Sequence, residues 1–129
     1  MERTLAAEAS ASTGTQPALG NGTISGVYTK VGRTVHYALT MTTGGTSTYG
    51  TGVYLWSLPT PAASTSRPGS NCYIVDASAG TQLPRTVRQN SSTVVFAFSE
   101  AGVFVGPTAP MTWASGDSIS IAGTYEAAS

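Results

Sequence analysis

Thr34-Val35-His36-Tyr37-Ala38-Leu39-Thr40-Met41 alternates without a break. Val35, Tyr37, Leu39 and Met41 fall on one side of an extended chain, and Thr34, His36, Ala38 and Thr40 on the other. Period two is the mark of a strand with one buried and one solvated face. Gly32-Arg33 separates this stretch from 27–31, so the pair reads as a hairpin around a tight glycine turn. The alternation returns at 117–126, where Ile119, Ile121, Gly123 and Tyr125 share a face opposite the small side chains of Ser118, Ser120, Ala122 and Thr124.

Between these two stretches lie shorter apolar runs at 53–58, 72–75, 85–88, 93–99 and 103–105, each bounded by Gly, Pro, Asn, Asp or Ser. In the fourth, Val94, Phe96 and Phe98 share a face. No helical stretch long enough for a crossover separates them, which excludes parallel β-α-β units. The pattern predicts an all-β, two-sheet antiparallel sandwich of the jelly-roll kind. The run 53–58 is apolar on both faces, Val53 and Leu55 against Tyr54, Trp56 and Leu58. It must be covered twice, and in so small a domain a second subunit is the expected cover.

The composition agrees. Of 129 residues, 20 are Thr and 16 Ser, and 9% are charged, against roughly 25% in an average soluble protein. This is not the composition of a helical bundle, and 40% hydrophobic residues exclude a wholly disordered chain. Six basic residues balance six acidic ones with no basic run, so no nucleic-acid partner is expected. No run suits a membrane helix, and residues 1–10 lack the apolar centre of a signal peptide. The lone Cys72 cannot form an internal disulfide; beside Tyr73-Ile74-Val75 it reads as a buried structural thiol. Residues 1–18 carry no strand pattern and read as an extended N-terminal arm, with one helical turn after Thr4 as its local preference and a partner to hold it. Residues 19–129 form the domain.

The inventory for chemistry is thin: one His, one Cys, two Asp and four Glu. Gly116-Asp117-Ser118-Ile119 resembles the nucleophile block of GDSL-type hydrolases, but only ten residues follow it and none is His. His36 has no carboxylate near it in sequence to orient it as a triad requires. Asp117 therefore reads as a turn residue launching the last strand. No His, Cys, Asp or Glu stand at metal-ligand spacing, and no Gly-rich strand-to-helix turn suits a phosphate. No catalytic, cofactor-binding or metal residue is expected. Tyr28, Tyr49, Tyr54, Trp56 and Trp113 are expected to fill the core or an interface rather than stack on a ligand.

Three segments carry a resemblance. Asn21-Gly22-Thr23-Ile24-Ser25-Gly26-x-Tyr28 with Val31-Gly32-Arg33-x-Val35 is the first. Gly50-Thr51-Gly52-x-Tyr54-x-Trp56-Ser57-Leu58-Pro59 is the second. The third and most specific is Pro110-Met111-Thr112-Trp113-Ala114-Ser115-Gly116-Asp117-Ser118-Ile119-x-Ile121-x-Gly123-Thr124-Tyr125-Glu126. Over residues 19–127 the chain resembles small structural proteins and tail-fibre head domains of bacteriophages infecting actinobacteria. The resemblance implies a tumour necrosis factor-like jelly roll that forms homotrimers. It implies a virion protein of the capsid surface, made in the host cytoplasm, that decorates the shell by binding the major capsid protein. The alternative is a receptor-binding tip or minor tail protein that recognises a host-surface glycan or protein. On this reading Arg3, Thr4 and Leu5 of the arm contact the capsid. Tyr54, Trp56, Ser118, Ser120 and Tyr125 form the trimer interface.

Overall fold

The computed structural model describes residues 2–5, 9–11, 14–63, 70–89, 91–100 and 103–129, with the backbone alone at 2–5 and 9. Among the described residues ten strands follow one another: β1 (Glu2–Leu5), β2 (Ala9–Ala11), β3 (Thr23–Val31), β4 (Thr34–Thr42), β5 (Tyr54–Ser57), β6 (Ser70–Asp76), β7 (Thr81–Gln89), β8 (Val94–Glu100), β9 (Val103–Phe104) and β10 (Ser118–Glu126). The glycine hairpin forms as the pattern predicts. Gly32 has φ +60°, and β3 and β4 pair from Val31–Thr34 to Thr23–Thr42.

The fold is all-β and antiparallel, and its strands are linked in one continuous curled sheet, an arrangement consistent with the expected sandwich. Their order is β1-β3-β4-β10-β6-β7-β8-β5-β2, with β9 paired to β8 off this path. Within it β10-β6-β7-β8 is a Greek key: three strands joined by hairpins, and a fourth that returns by a long connection beside the first. Continuity depends on β7. Along most of its length it is bonded to β6, while its last residues, Val87 to Gln89, are bonded to β8, so the ladder turns a corner there. Pro84, which has no N–H, lies in the part of β7 that pairs with β6 alone. The sequence pattern marked only 85–88 as this strand because Pro84 reads as a break and Leu83 is the one large apolar residue before it in 81–84.

Curling brings the inward faces together. Val35, Tyr37, Leu39 and Met41 of β4, Ile119, Ile121 and Tyr125 of β10, and Cys72 and Ile74 of β6 form one wall of the core. Val87, Val95 and Ala97 with Tyr54, Trp56, Leu58, Val105 and Trp113 form the other. In β8 the core-facing residues are Val95, Ala97 and Ser99, which leaves Phe96 and Phe98 on the outer face.

One row of this core is built around a missing side chain. Tyr37 of β4 pairs with Gly123 of β10, and the β10–β6 ladder, running from Ser118–Val75 to Ala122–Asn71, brings Ser70 up to Gly123. The Tyr37 hydroxyl and Ser70 Oγ are 3.0 Å apart, so they hydrogen-bond across the glycine. A Cβ on Gly123 would come within 1.9 Å of Ser70 Oγ.

The N-terminal segment departs from its reading. Glu2 to Leu5 pair with Thr29 to Gly26 at one edge of the sheet, and the helical turn expected after Thr4 falls mostly on residues 6–8, outside the described residues. Ala9 to Ala11 pair with Trp56 to Tyr54 at the opposite edge. Leu5 and Ala9 are four residues apart, so their Cα atoms are separated by at most about 14 Å. The two edges of the curled sheet therefore approach each other closely. Backbone pairing with an open edge orders a segment whose composition supplies no core of its own.

Gly123→Ala is expected to destabilise the protein by roughly 1–3 kcal/mol, the usual result of overpacking a filled core. Adding Ser70→Gly should recover part of that loss. Urea unfolding of the two variants checks both expectations.

Candidate functional site

The outer face of β3, β4, β10 and β6 is rich in small hydroxyl side chains, with Val27, Val31 and Tyr73 exposed among them. His36 Nδ1 and Thr124 Oγ1 are 2.9 Å apart, and Thr40 Oγ1 and Ser120 Oγ are 3.1 Å apart. His36 thus meets a neighbouring hydroxyl, and among the described residues no three His, Cys, Asp or Glu groups gather to hold a metal. Ser120 is exposed on this face and Ser118 is half-buried. Tyr73, 56% exposed, stands between Ser120 and Pro84 in the paired ladders.

The remaining residues proposed for an interface lie elsewhere. Tyr54, Trp56 and Tyr125 are 3%, 0% and 4% exposed within the single chain. Tyr54 packs edge-on to both Trp56 and Trp113, and its hydroxyl donates to Tyr49 O at 2.6 Å. Tyr125 packs edge-on to Tyr37 and donates to Thr60 O at 2.7 Å. These three side chains are spent on the chain's own core and leave no surface for a partner. The pattern of 53–58 showed two apolar faces but not which one the core would claim. The side chains of Arg3, Thr4 and Leu5 lie outside the described residues; their backbone is the β1 ladder.

Val53 and Leu55, the other face of 53–58, are half-buried, and a separate apolar group lies on the outer face of β8. Phe96, Phe98 and Phe104 form an aromatic cluster there, with ring centroids 4.4 to 5.6 Å apart, and the Arg88 guanidinium sits 6.0 Å from the Phe96 ring centre. Phe96 is covered by these neighbours, Phe98 and Phe104 are half-buried, and Val103 is 40% exposed. The β8–β9 hairpin brings Phe104 opposite Phe98. The cluster stands apart from the main core. It places an apolar surface on an exterior that carries many hydroxyl groups, with Val27, Val31 and Tyr73 exposed elsewhere on it. The alternation Val94, Phe96, Phe98 was its sequence signal.

The hydrolase-like block is structural. Asp117 is 1% exposed; its Oδ1 accepts the Ala77 N–H at 2.9 Å and its Oδ2 the Ala114 N–H at 2.8 Å. Thr43 Oγ1 donates to Ala114 O at 2.6 Å, so three loops are pinned at one end of the sheet. Ser118 pairs with Thr42 and His36 with Thr124, six residues along the same ladder, or about 20 Å. The two cannot act as nucleophile and base. A small cavity of about 30 Å³ lies between Leu19, Met41, Tyr54 and Trp113. It is far below the roughly 300 Å³ of a small-molecule pocket. Compared with known protein families, with curated proteins and with solved structures, the chain finds no match.

Burial sets the chain's response to alkali. It pushes the Cys72 thiol from 9.0 up to about 11 and the Tyr54 hydroxyl from 10.0 up to about 12. Burial also raises Tyr37 and Tyr125, partly offset by their hydrogen bonds to Ser70 and Thr60. Each group holds its proton more tightly folded than unfolded. The stability this confers is whole below pH 9 and is lost as pH rises toward about 11 for Cys72 and about 12 for Tyr54. The urea midpoint should stay level from pH 7 to 9 and fall steeply by pH 12, as tyrosinate absorbance rises. A level midpoint through pH 12 would contradict this.

Proposed function

We propose that this chain is a structural protein of a bacteriophage virion, a capsid decoration protein whose homotrimers bind the major capsid protein and stabilise the shell. The outer phenylalanine cluster carries the reading. A domain this poor in charge has little other reason to hold Phe98 and Phe104 half-exposed on a wall strand, and an apolar patch on a polar exterior marks a protein contact. The shell contact is assigned to this cluster together with Arg3, Thr4 and Leu5, whose backbone is paired at the sheet edge. Three copies of a modest apolar contact, held at fixed geometry, gain through avidity. The tumour necrosis factor-like jelly roll belongs to the same proposal. It is supported by one of the two Greek keys such a fold contains, β10-β6-β7-β8.

One observation favours the receptor-binding alternative. Tyr73 stands more than half exposed on a flat hydroxyl-rich face, as aromatic platforms for sugars do. Copy number separates the two readings. Decoration predicts as many copies in purified virions as the capsid lattice has sites; a tail tip predicts a few. Light scattering should give three times the 13.1 kDa of one chain. Phe98→Ser should leave the circular dichroism spectrum unchanged and weaken co-sedimentation with shells at least about tenfold, the equivalent of roughly 1.4 kcal/mol. Unchanged co-sedimentation would move the shell contact elsewhere.

A further inference from the structure

The outer phenylalanine cluster is flanked by two opposite charges. Arg88 of β7 pairs with Phe96 in the β7–β8 ladder, and its guanidinium stands 6.0 Å from the Phe96 ring centre. Glu100 lies at the far end of β8, where it pairs with Val103 of β9. Both charged side chains are exposed. Phe96 and Glu100 are four residues apart, so the cation and the carboxylate bracket the cluster at a separation of about 13 Å along the strand.

Neither charge is neutralised within the chain. Among the described residues the one salt bridge is Arg33–Glu126, so Arg88 and Glu100 have no ion-pair partner of their own. The neighbouring Arg85 is committed by contrast: its Nε donates to Ser99 O and its Nη1 to Pro84 O. Between the two free charges the surface is apolar. Phe98 and Phe104 are half-buried with ring centroids 5.2 Å apart, and Val103 is 40% exposed. The patch therefore has a direction, positive at one end and negative at the other with hydrocarbon between. Such a pattern complements its own reverse.

We propose that this patch binds the same patch of a second copy of the chain across a two-fold axis. The axis lies in the face and crosses β8 near Phe98, so β8 of the second copy runs antiparallel to the first. Arg88 then meets Glu100 of the second copy and Glu100 meets its Arg88, the reciprocal pairing of an isologous contact. Charge selects this alignment, because a parallel one would set Arg88 against Arg88. Phe98, Phe104 and Val103 of the two copies meet between the ion pairs and lose water together. The contact goes beyond the decoration reading and belongs to the free protein, since a shell and a second copy compete for one patch.

Complementary charge reversal tests this in sedimentation velocity without shells. At high concentration the parent chain should have twice the mass of Phe98→Ser. Arg88→Glu and Glu100→Arg should each weaken the association at least about tenfold, since each loses two ion pairs and gains two like-charge contacts. Mixing these two variants sets opposite charges against each other at both pairs again, so the equimolar mixture should regain the parent mass. Both positions are exposed, and circular dichroism checks that each variant is folded. The contact is overturned if the parent and Phe98→Ser have equal mass, if either reversal associates as the parent does, or if the mixture stays dissociated. Shell co-sedimentation keeps the two readings apart. Shell binding lost in Phe98→Ser without any doubling of the parent leaves the patch to the capsid alone. Doubling of the parent with shell binding unchanged in Phe98→Ser upholds the self-contact and moves the shell contact elsewhere.

Discussion

The architecture depends on where the last strand goes. Remove β10 and two units remain, β1-β3-β4 and β6-β7-β8-β5-β2 with β9, and no ladder joins them among the described residues. β10 pairs along all nine residues with β4 and along five with β6, and its Ile119 and Ile121 are at most 1% exposed. Its partners come from residues 34–42 and 71–75, so the closing contacts span much of the chain. Such non-local pairing makes a slow, cooperative fold rather than an assembly of independent hairpins. The demands on β10 are geometric. It must be flat and narrow where Tyr37 and Ser70 meet across it, and glycine at 123 meets that demand.

A gradient of order results. At the centre, β4, β10 and β6 bury apolar side chains on one face and satisfy their backbones on both edges. At the margins, among the described residues, β1 is held by four residues on one side and β2 by three. Ladders this short at a sheet edge open at low free energy. The same segment lies on both margins, which makes the edges a property of the N-terminal region alone. The exterior divides likewise. Its broad face carries a hydroxyl pair and an imidazole–hydroxyl pair, and the phenylalanine cluster sits on the β8–β9 hairpin away from the main core.

What was legible in the sequence is what alternates cleanly. Val35 to Met41 and Ile119 to Tyr125 each face a core on one side and water on the other, so period two marked both strands and their buried faces. The Asp117 turn and the buried Cys72 were legible for the same reason: their neighbours leave few alternatives. Alternation says less where both faces are apolar. Val94 to Phe98 showed a strand but not that Val95 and Ala97 would take the core and Phe96 and Phe98 the exterior. Tyr54, Trp56 and Tyr125 looked suited to an interface because side-chain chemistry does not tell a chain's own core from a partner's. β1 and β2 were illegible as strands, since their pairing rests on backbone groups that every sequence carries.

Native-state hydrogen exchange tests the central role of β10 most directly. The account predicts that the amides of Ile119 and Ile121 exchange only through global unfolding, with the same free energy as those of Leu39 and Ile74. The amides of β1 should exchange far faster. If β10 exchanges as readily as β1 while β6, β7 and β8 stay protected, the last strand is an addition to the fold and not its centre.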